Sequence, residues 1–185
     1  MPLESYKRSE LYRLFGAMFQ DVVIYSMSIR ENITIGRKGD VDEDRLAAAC
    51  EIAGLTKMIS ELPRGLDTEL QRTFDRNGLI PSGGQAQRIA LARAIYRGGD
   101  IMILDEPVAS IDPETEYEIF GRVMTEWEDK TLVLVSHRLS NIRMCDRIIV
   151  IECGRVSEVG THDELMKRRG AYARMYDSQA EWYDE

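Results

Sequence analysis

The sequence has no excess of positive charge. It carries 24 Lys and Arg against 32 Asp and Glu, a formal net charge of −8 at pH 7. Proteins that bind nucleic acid through its phosphates usually carry a basic surface, so this balance argues against a nucleic-acid partner. Single anion sites are still compatible with it, because backbone N–H groups at a helix N-terminus hold phosphate without net positive charge.

Cysteines and long apolar runs are also scarce. The three cysteines, Cys50, Cys145 and Cys153, are odd in number and show no metal-ligand spacing, which favours reduced thiols over a disulfide framework. No stretch reaches the roughly 18 apolar residues that a transmembrane helix needs. If this protein serves a membrane, another segment or another chain must do the spanning.

What the sequence does contain is the composition of a folded protein. Of its 185 residues, 44% are hydrophobic and 30% are charged, values that are typical of globular proteins. The length suits one domain, and no change of composition along the chain marks a second domain boundary.

Two uninterrupted apolar runs, residues 101–104 and 131–136, predict strands of a parallel sheet. Runs without polar–apolar alternation are typical of strands that are covered on both faces. The segment between them, residues 114–127, has helical character, so the three pieces predict a β-α-β unit with a right-handed crossover. A further buried strand is expected at residues 15–19, after a short helix at residues 5–14.

Most of the chain between residues 28 and 98 predicts helices. The clearest one runs from Asp44 to Ala53, with one apolar face and Gly54 as its stop signal. Nearer the C-terminus, apolar residues on both sides of Gly154 predict a hairpin. Residues 161–164 then form a capping box that opens another helix, and the tail at residues 171–183 is also helical.

Residues 82–85, Ser-Gly-Gly-Gln, precede a strongly helical stretch and have two interpretations. In a capping box, Ser82 would be the N-cap and Gln85 the third helical residue, while Pro81 excludes helix before them. This interpretation leaves Gly83 and Gly84 unexplained. Adjacent glycines at a helix start expose backbone N–H groups and let a phosphate approach closely.

Polar side chains follow three of the predicted strands. Asp105 and Glu106 follow residues 101–104, His137 follows the next strand, and Gln20 follows the strand at 15–19. Open α/β sheets place ligands at the carboxyl ends of their strands. There Asp105 could hold Mg²⁺, Glu106 could polarise a water, and His137 could donate to a phosphoryl oxygen. The simpler alternative is an acidic turn before a helix and a histidine with a structural or surface role.

These stretches resemble, in order, the motifs of ATP-binding cassette (ABC) ATPases. Five ordered motifs are far more specific than any one of them. They are a Q-loop at residues 19–20, a signature helix at 82–94, a Walker B strand with its glutamate at 101–107, a D-loop at 109–112 and a switch histidine at 136–138. The resemblance covers residues 10–177. Residues 28–33, 64–68 and 160–165 are similar to exporter-type members, whereas Pro81 stands where the family usually has leucine.

The resemblance implies an α/β fold. It would consist of a partial P-loop NTPase-like parallel sheet, which has helices on both faces, and of an α-helical signature subdomain. The chain, 1–185, would be a partial ABC ATPase domain. It would consist of a Q-loop region at 5–27, a helical subdomain with the signature motif at 28–98, and an α/β core with the remaining motifs at 99–185.

The resemblance also implies ATP and Mg²⁺ as ligands. Glu106 and His137 would be catalytic, and Gln20 and Asp105 would bind the metal. The residues that bind the nucleotide and its cation would be Gln20, Ser82, Gly83, Gly84, Gln85, Asp105 and Asp112. The implied partners are the transmembrane domain of an ABC exporter and a second ABC ATPase domain in a head-to-tail dimer, at the cytoplasmic face of the cell membrane.

One motif of this family is absent. The P-loop requires Gly-Lys followed by Ser or Thr, and none of the 14 glycines precedes a lysine. The family's nucleotide-stacking aromatic and first strands are missing with it, so the sequence is expected to begin partway through the domain. Because the P-loop supplies much of the positioning in phosphoryl transfer, we expect little or no ATP hydrolysis by this chain alone.

Two functions are therefore compatible with the sequence. The first is the ATP-binding and ATP-hydrolysing domain of an ABC exporter, impaired alone by the missing P-loop. The second is a non-enzymatic truncated or degenerate ABC fragment that folds and self-associates or docks to a partner. An ABC ATPase of DNA maintenance is disfavoured by the acidic balance and the exporter-like segments. Missing strands would leave sheet edges unpaired, so we expect oligomerisation or rearranged packing.

Overall fold

A computed structural model describes residues 3–35, 39–107 and 112–181 of the chain. They divide into two compact units, Met1–Val135 and Ser136–Glu185. Within the described ranges, no helix combines the length and the apolar character that crossing a membrane requires.

A three-stranded parallel sheet lies at the centre of the first unit. It consists of β1 (Phe15–Met18), β2 (Ile101–Asp105) and β3 (Thr131–Val135), with β2 in the middle. In the register, Phe15 lies opposite Ile101, and Asp105 lies opposite Val135. The parallel sheet predicted from the apolar runs is confirmed, and the carboxyl ends of the three strands meet at one edge.

The expectation that both apolar runs are covered on both faces is wrong for β3. In β2, Met102 and Leu104 are 0% and 1% exposed. In β3, Leu132 and Leu134 pack against the core, but Val133 and Val135 are 43% and 51% exposed. An apolar run shows which surfaces are compatible with burial, and it does not show whether this chain supplies the element that covers them.

Helices form most of the connections between these strands, as predicted. α1 leads into β1, and in the parts of the two connections that the structure describes, four α-helices lie between β1 and β2 and one lies between β2 and β3. Their bounds are α1 (Arg8–Leu14), α2 (Ile29–Thr34), α3 (Glu43–Ile52), α4 (Thr56–Ser60), α5 (Gly83–Arg97) and α6 (Pro113–Glu126). Short 3-10 helices occupy Leu3–Ser5 and Gly65–Asp67.

One apolar cluster joins these helices to the sheet. Ile29 of α2, Leu46 of α3 and Ile89 of α5 are each 0% exposed. The cluster continues to Met18 and Leu104 of the sheet. The apolar face predicted for α3 is confirmed, because all of its members are buried: Leu46, Ala49, Cys50 and Ala53.

Two glycines allow α5 to pack closely on the sheet. A Cβ added at Gly16 of β1 would lie 2.8 Å from Met102 Cε and 2.9 Å from the Ala94 carbonyl oxygen of α5. The connection from α5 to β2 passes through Gly99, whose φ is 130°. A Cβ added at Gly99 would also collide with the backbone carbonyl of Leu14. These contacts fix where α5 sits on the sheet.

The second unit is a hairpin with helices on either side of it in the sequence. β4 (Ile148–Glu152) and β5 (Arg155–Gly160) pair antiparallel. The turn between them consists of Cys153 and Gly154, with φ values of 49° and 73°, the positive values that a two-residue hairpin turn requires. The helices are α7 (Leu139–Ile142), α8 (His162–Arg168) and α9 (Ala171–Glu181). The predicted hairpin and the capping box at Thr161 are confirmed.

The substitution Gly99→Ala is expected to destabilise the first unit by about 2 kcal/mol or more, because it forces a side chain into a strained backbone region. The collision with the Leu14 carbonyl adds to that cost. The measurement is the free energy of unfolding in urea, taken from the shift of the midpoint at an unchanged m-value.

Gly121→Ala in α6 is the matched control. A Cβ added at Gly121 meets nothing within 4 Å, and alanine in place of glycine inside a helix raises stability by about 0.5–1 kcal/mol. Similar midpoints for the two variants would contradict the packing described for Gly99.

Candidate functional site

The first part of the candidate site is the start of α5. Ser82 Oγ accepts a hydrogen bond from the Gln85 N–H at 3.3 Å, and Gln85 Oε1 accepts one from the Ser82 N–H at 2.8 Å. The capping box interpretation is thus confirmed. Gly83 and Gly84 take the first two helical positions, where N–H groups have no partner within the helix. This end of α5 presents N–H donors and the positive end of a helix dipole, a combination that suits an anion.

The second part lies beyond the carboxyl ends of β1 and β2. Gln20 Nε2 donates a hydrogen bond to Glu106 Oε2 at 3.2 Å, although 86 positions separate the two residues in sequence. Asp105, the last residue of β2, is half-buried and directly precedes Glu106 in the sequence. The structure therefore brings Gln20, Asp105 and Glu106 to the same edge of the sheet.

The backbone of Glu106 departs from the strand geometry that precedes it. Its φ is 46°, and its N–H donates to the Val135 carbonyl at 2.9 Å. This bond continues the pairing of β2 with β3 one residue past Asp105. A glutamate at positive φ is strained, and such strain persists only where surrounding contacts hold it.

Gln20, Asp105 and Glu106 form a set of oxygen donors. Mg²⁺ is usually held in proteins by one or two carboxylates together with phosphate oxygens and water, so this set fits that ion. Within the described ranges, no group of three or more His, Cys, Asp and Glu side chains is arranged to hold a metal by itself. A cation at this edge would therefore need further ligands from water or from a bound phosphate.

His137 belongs to the second unit, where contacts with α9 hold its backbone. Its carbonyl accepts a hydrogen bond from Gln179 Nε2 at 2.5 Å. The other amide atom of that side chain, Gln179 Oε1, accepts a hydrogen bond from the Leu139 N–H at 3.0 Å. The His137 side chain itself is exposed.

Asp112 forms the N-cap of α6. Its Oδ1 accepts a hydrogen bond from the Thr115 N–H at 2.9 Å, and this bond lowers the pKa of the Asp112 carboxyl. The exposed side chain therefore has a structural task at the start of α6. The preceding part of the predicted D-loop, residues 109–111, lies outside the described residues.

A buried polar network between α2 and α5 was not among the residues predicted from the sequence. Asn32 of α2 is 0% exposed. Its Oδ1 accepts hydrogen bonds from the Tyr25 N–H at 2.9 Å and from Arg93 Nη2 at 3.2 Å. Its Nδ2 donates to the carbonyls of Tyr25, Met27 and Ser28. Asn32 thereby anchors the segment that follows Gln20.

Arg93 is the α5 member of this network. Its Nε donates to the Asn32 carbonyl at 2.7 Å, and its Nη2 donates to the Val23 carbonyl at 3.0 Å. Its guanidinium carbon lies 5.4 Å from the centre of the Tyr25 ring, and burial lowers its pKa. A sequence signal was present for both residues, because Asn32 and Arg93 are polar residues on helix faces that Ile29 and Ile89 mark as apolar.

The chain is similar in sequence to known proteins of one family. The family model of the ABC transporter matches residues 2–109. The chain is 38% identical over 97% of its length to an ATP-dependent lipid A-core flippase of Pseudoalteromonas atlantica, and 37% identical over 97% of its length to that of Burkholderia orbicola. It is 39% identical over 89% of its length to the multidrug resistance protein sirA of Leptosphaeria maculans.

A solved structure also matches the fold. The structure of a bacterial Atm1-family ABC exporter with ATP bound superposes with a TM-score of 0.88 at 33% identity, over 96% of this chain and 30% of that one. The chain spans 30%, 29% and 12% of the lengths of the three relatives above. On the family match and the shared fold, the chain belongs to the ABC transporter family and has the fold of an exporter's ATP-binding domain.

Proposed function

We propose that this chain supplies the signature helix and the Walker B edge of an ATP-binding and ATP-hydrolysing domain that powers transport by an ABC exporter. The observation that carries the proposal is the 3.2 Å bond between Gln20 and Glu106, at the edge where β2 ends in Asp105. Ligands of open α/β sheets bind at the carboxyl ends of their strands. The flippase and multidrug resistance relatives support export as the process served.

Each residue's role follows from its chemistry. Asp105 and the Gln20 Oε1 atom would hold Mg²⁺, whose charge, when bound, offsets that of the phosphates. Glu106 would orient and polarise the attacking water, and His137 would donate a hydrogen bond to the transferred phosphoryl group. Gln20 Nε2 donates to Glu106 Oε2, and a carboxylate has further acceptor sites, so Glu106 would be able to keep this bond while it holds a water.

The start of α5 would act on a nucleotide held by a second ATPase domain. In the proposed head-to-tail dimer, Ser82, Gly83 and Gly84 would meet the terminal phosphate across the interface. Gln85 would complete the cap of α5, and Asp112 would contribute as the last residue of the D-loop. The dimer would work with an exporter's transmembrane domain at the cytoplasmic face of the membrane. Neither the charge balance nor the site suggests a nucleic-acid partner.

A second candidate function is self-association without catalysis. Val133 and Val135 expose 43% and 51% of their surface on one face of β3. Among the described residues, β1 and β3 each pair with β2 alone, so each leaves one edge of backbone donors and acceptors open. Exposed apolar surface and open edges both favour association with another chain.

The purified chain is expected to hydrolyse ATP no faster than background, because no glycine precedes a lysine and the phosphate cradle of the P-loop is absent. The measurement is phosphate release at saturating ATP and Mg²⁺, with Glu106→Gln as the control. Both proteins should give the same rate. Robust turnover by the chain, lost in Glu106→Gln, would overturn the expectation.

The trans role of α5 is tested by mixing the chain with an exporter subunit that has its own P-loop. The chain should raise that subunit's affinity for ATP. Ser82→Asp should reduce this gain in ATP affinity, and the reduction should be at least tenfold larger than the one caused by Ser82→Asn. Aspartate and asparagine cap helices equally well, but only aspartate repels a phosphate. The measurement is nucleotide affinity by titration, with helix content as the check on folding. Equal effects of the two variants would refute a phosphate contact at Ser82.

Self-association is tested by light scattering on the purified chain, which should give oligomers. Val133→Lys should raise the monomer fraction, because it removes exposed apolar surface and adds a charge to β3. Thr131→Lys adds the same charge at an exposed polar position of the same strand and should change the fraction much less. A clean monomer, or the same response from both variants, would count against association through this face.

A further inference from the structure

A cavity of about 780 Å³ is lined by two segments of the first unit, which lie within residues 62–68 and 72–80. Its volume falls in the range of ligand sites in proteins, about 300–1,000 Å³. Of the described residues that line it, none is one that we assign to the nucleotide or its cation. The cavity is therefore separate from the proposed nucleotide site.

Hydrogen bonds hold the loop that forms one wall of the cavity. At the base of the loop, the Gln71 N–H donates to the Leu79 carbonyl at 2.8 Å, and the Leu79 N–H donates to the Glu69 carbonyl at 2.8 Å. Within the loop, the Gly78 N–H donates to the Asp75 carbonyl at 2.9 Å. A Cβ added at Gly78 would collide with the Gln71 carbonyl oxygen, so this close approach requires glycine. The wall is thus ordered before any ligand arrives, which lowers the entropic cost of binding.

Two of the charges on the lining neutralise each other. Arg64 Nη2 forms an ion pair with Asp75 Oδ2 at 2.5 Å. A hydrogen bond from the Asn77 N–H, and secondly the bond from Arg64, lower the pKa of the Asp75 carboxyl, so Asp75 is ionised at neutral pH. Asp75 is the one carboxylate among the described residues that line the cavity. Because it is matched by Arg64, we count neither of the two charges toward a ligand.

Arg72 supplies the positive charge that is left over. It is exposed and lines the cavity. Its Nε donates to the Gly78 carbonyl at 3.5 Å, longer than a typical hydrogen bond, and no carboxylate in the described part of the chain pairs with it. Asn77 lines the same cavity, and its side-chain amide makes no hydrogen bond with the described residues. A guanidinium binds carboxylate or phosphate through two parallel bonds, and an amide can add a third donor.

The rest of the lining is mostly apolar. Leu62 and Pro63 belong to one segment, and Leu79 and Ile80 belong to the other. Ile80 is 57% exposed, so it offers apolar surface for a ligand to cover. A bare inorganic anion would leave this surface in water, and a neutral apolar molecule would desolvate Arg72 without supplying a counter-charge. The lining therefore favours a molecule that has both a charged head and an apolar body.

We propose that this cavity binds an amphiphilic anion, which consists of a carboxylate or phosphate head on an apolar chain. The head accepts hydrogen bonds from the Arg72 guanidinium and the Asn77 amide, and the chain packs on Leu62, Pro63 and Ile80. The site differs in place and in ligand chemistry from the proposed nucleotide site, so its test needs no ATP and does not depend on the proposed function.

The test titrates octanoate and octyl phosphate into the chain and follows the Asn77 side-chain amide signal in proton–nitrogen NMR, which Asn77→Ser assigns. At least one probe should shift the signal saturably, and the tighter of the two identifies the head as carboxylate or phosphate. Octanamide has the chain without the charge, and inorganic phosphate has the charge without the chain. Both should bind more weakly by about tenfold or more. No saturable shift with either octyl anion, or equal binding of octanamide or inorganic phosphate, would overturn the proposal.

Matched variants locate the binding site. Arg72→Gln should raise the Kd for the tighter octyl anion about tenfold, because it removes the charged donor. The control Arg76→Gln removes the same charge from an exposed arginine of the same loop that is not among the residues lining the cavity, and it should leave the Kd unchanged. Ile80→Ser should also raise the Kd, because it removes apolar surface that the chain covers. Equal affinities for Arg72→Gln and Arg76→Gln, or an unchanged Kd in Ile80→Ser, would refute this location.

Discussion

The buried amide of Asn32 is the constraint on which the position of the candidate site depends. A buried amide is stable only when its donors and acceptors find partners. Asn32 meets this condition with the backbone of Tyr25, Met27 and Ser28 and with the Arg93 guanidinium. The loop after Gln20 is therefore held against α2 by polar bonds from its own backbone. An apolar side chain of similar size would hold α2 in the core but would leave this loop without those bonds.

Arg93 extends the same constraint to α5. Its bonds run to the carbonyl oxygens of Asn32 and Val23, and the Tyr25 ring lies over its guanidinium, so partial charges and a ring face stabilise a partly buried cation. The capped start of α5 and Arg93 lie on one continuous helix. Arg93 thereby ties α5 to the segment that follows Gln20. Gln20, whose amide donates to Glu106, directly precedes that segment in the sequence.

The features that the sequence predicted correctly are those that short stretches determine. The capping boxes at Ser82 and Thr161, the apolar face of α3 and the hairpin around Gly154 each follow from residues within one turn or one strand pair. The exposure of Val133 and Val135 could not be predicted, because burial depends on a covering element and not on the strand's own residues. The pairing of Asn32 with Arg93 was missed because 61 positions separate the two partners, although each is a polar residue on an otherwise apolar helix face.

Glu106 shows how two adjacent carboxylates acquire different environments. Asp105 ends β2 in regular pairing with Val135, whereas Glu106 turns to a φ of 46°. The residue before a proline normally prefers extended backbone, and Pro107 follows, so the local sequence does not favour this conformation. The cost of such a residue is about 1–3 kcal/mol, and strain of this size clusters where function requires it. The Val135 carbonyl and the Gln20 amide hold Glu106 in place. Asp105 thus stays in the regular ladder, while the neighbouring carboxylate leaves the ladder and accepts a hydrogen bond from the Gln20 amide.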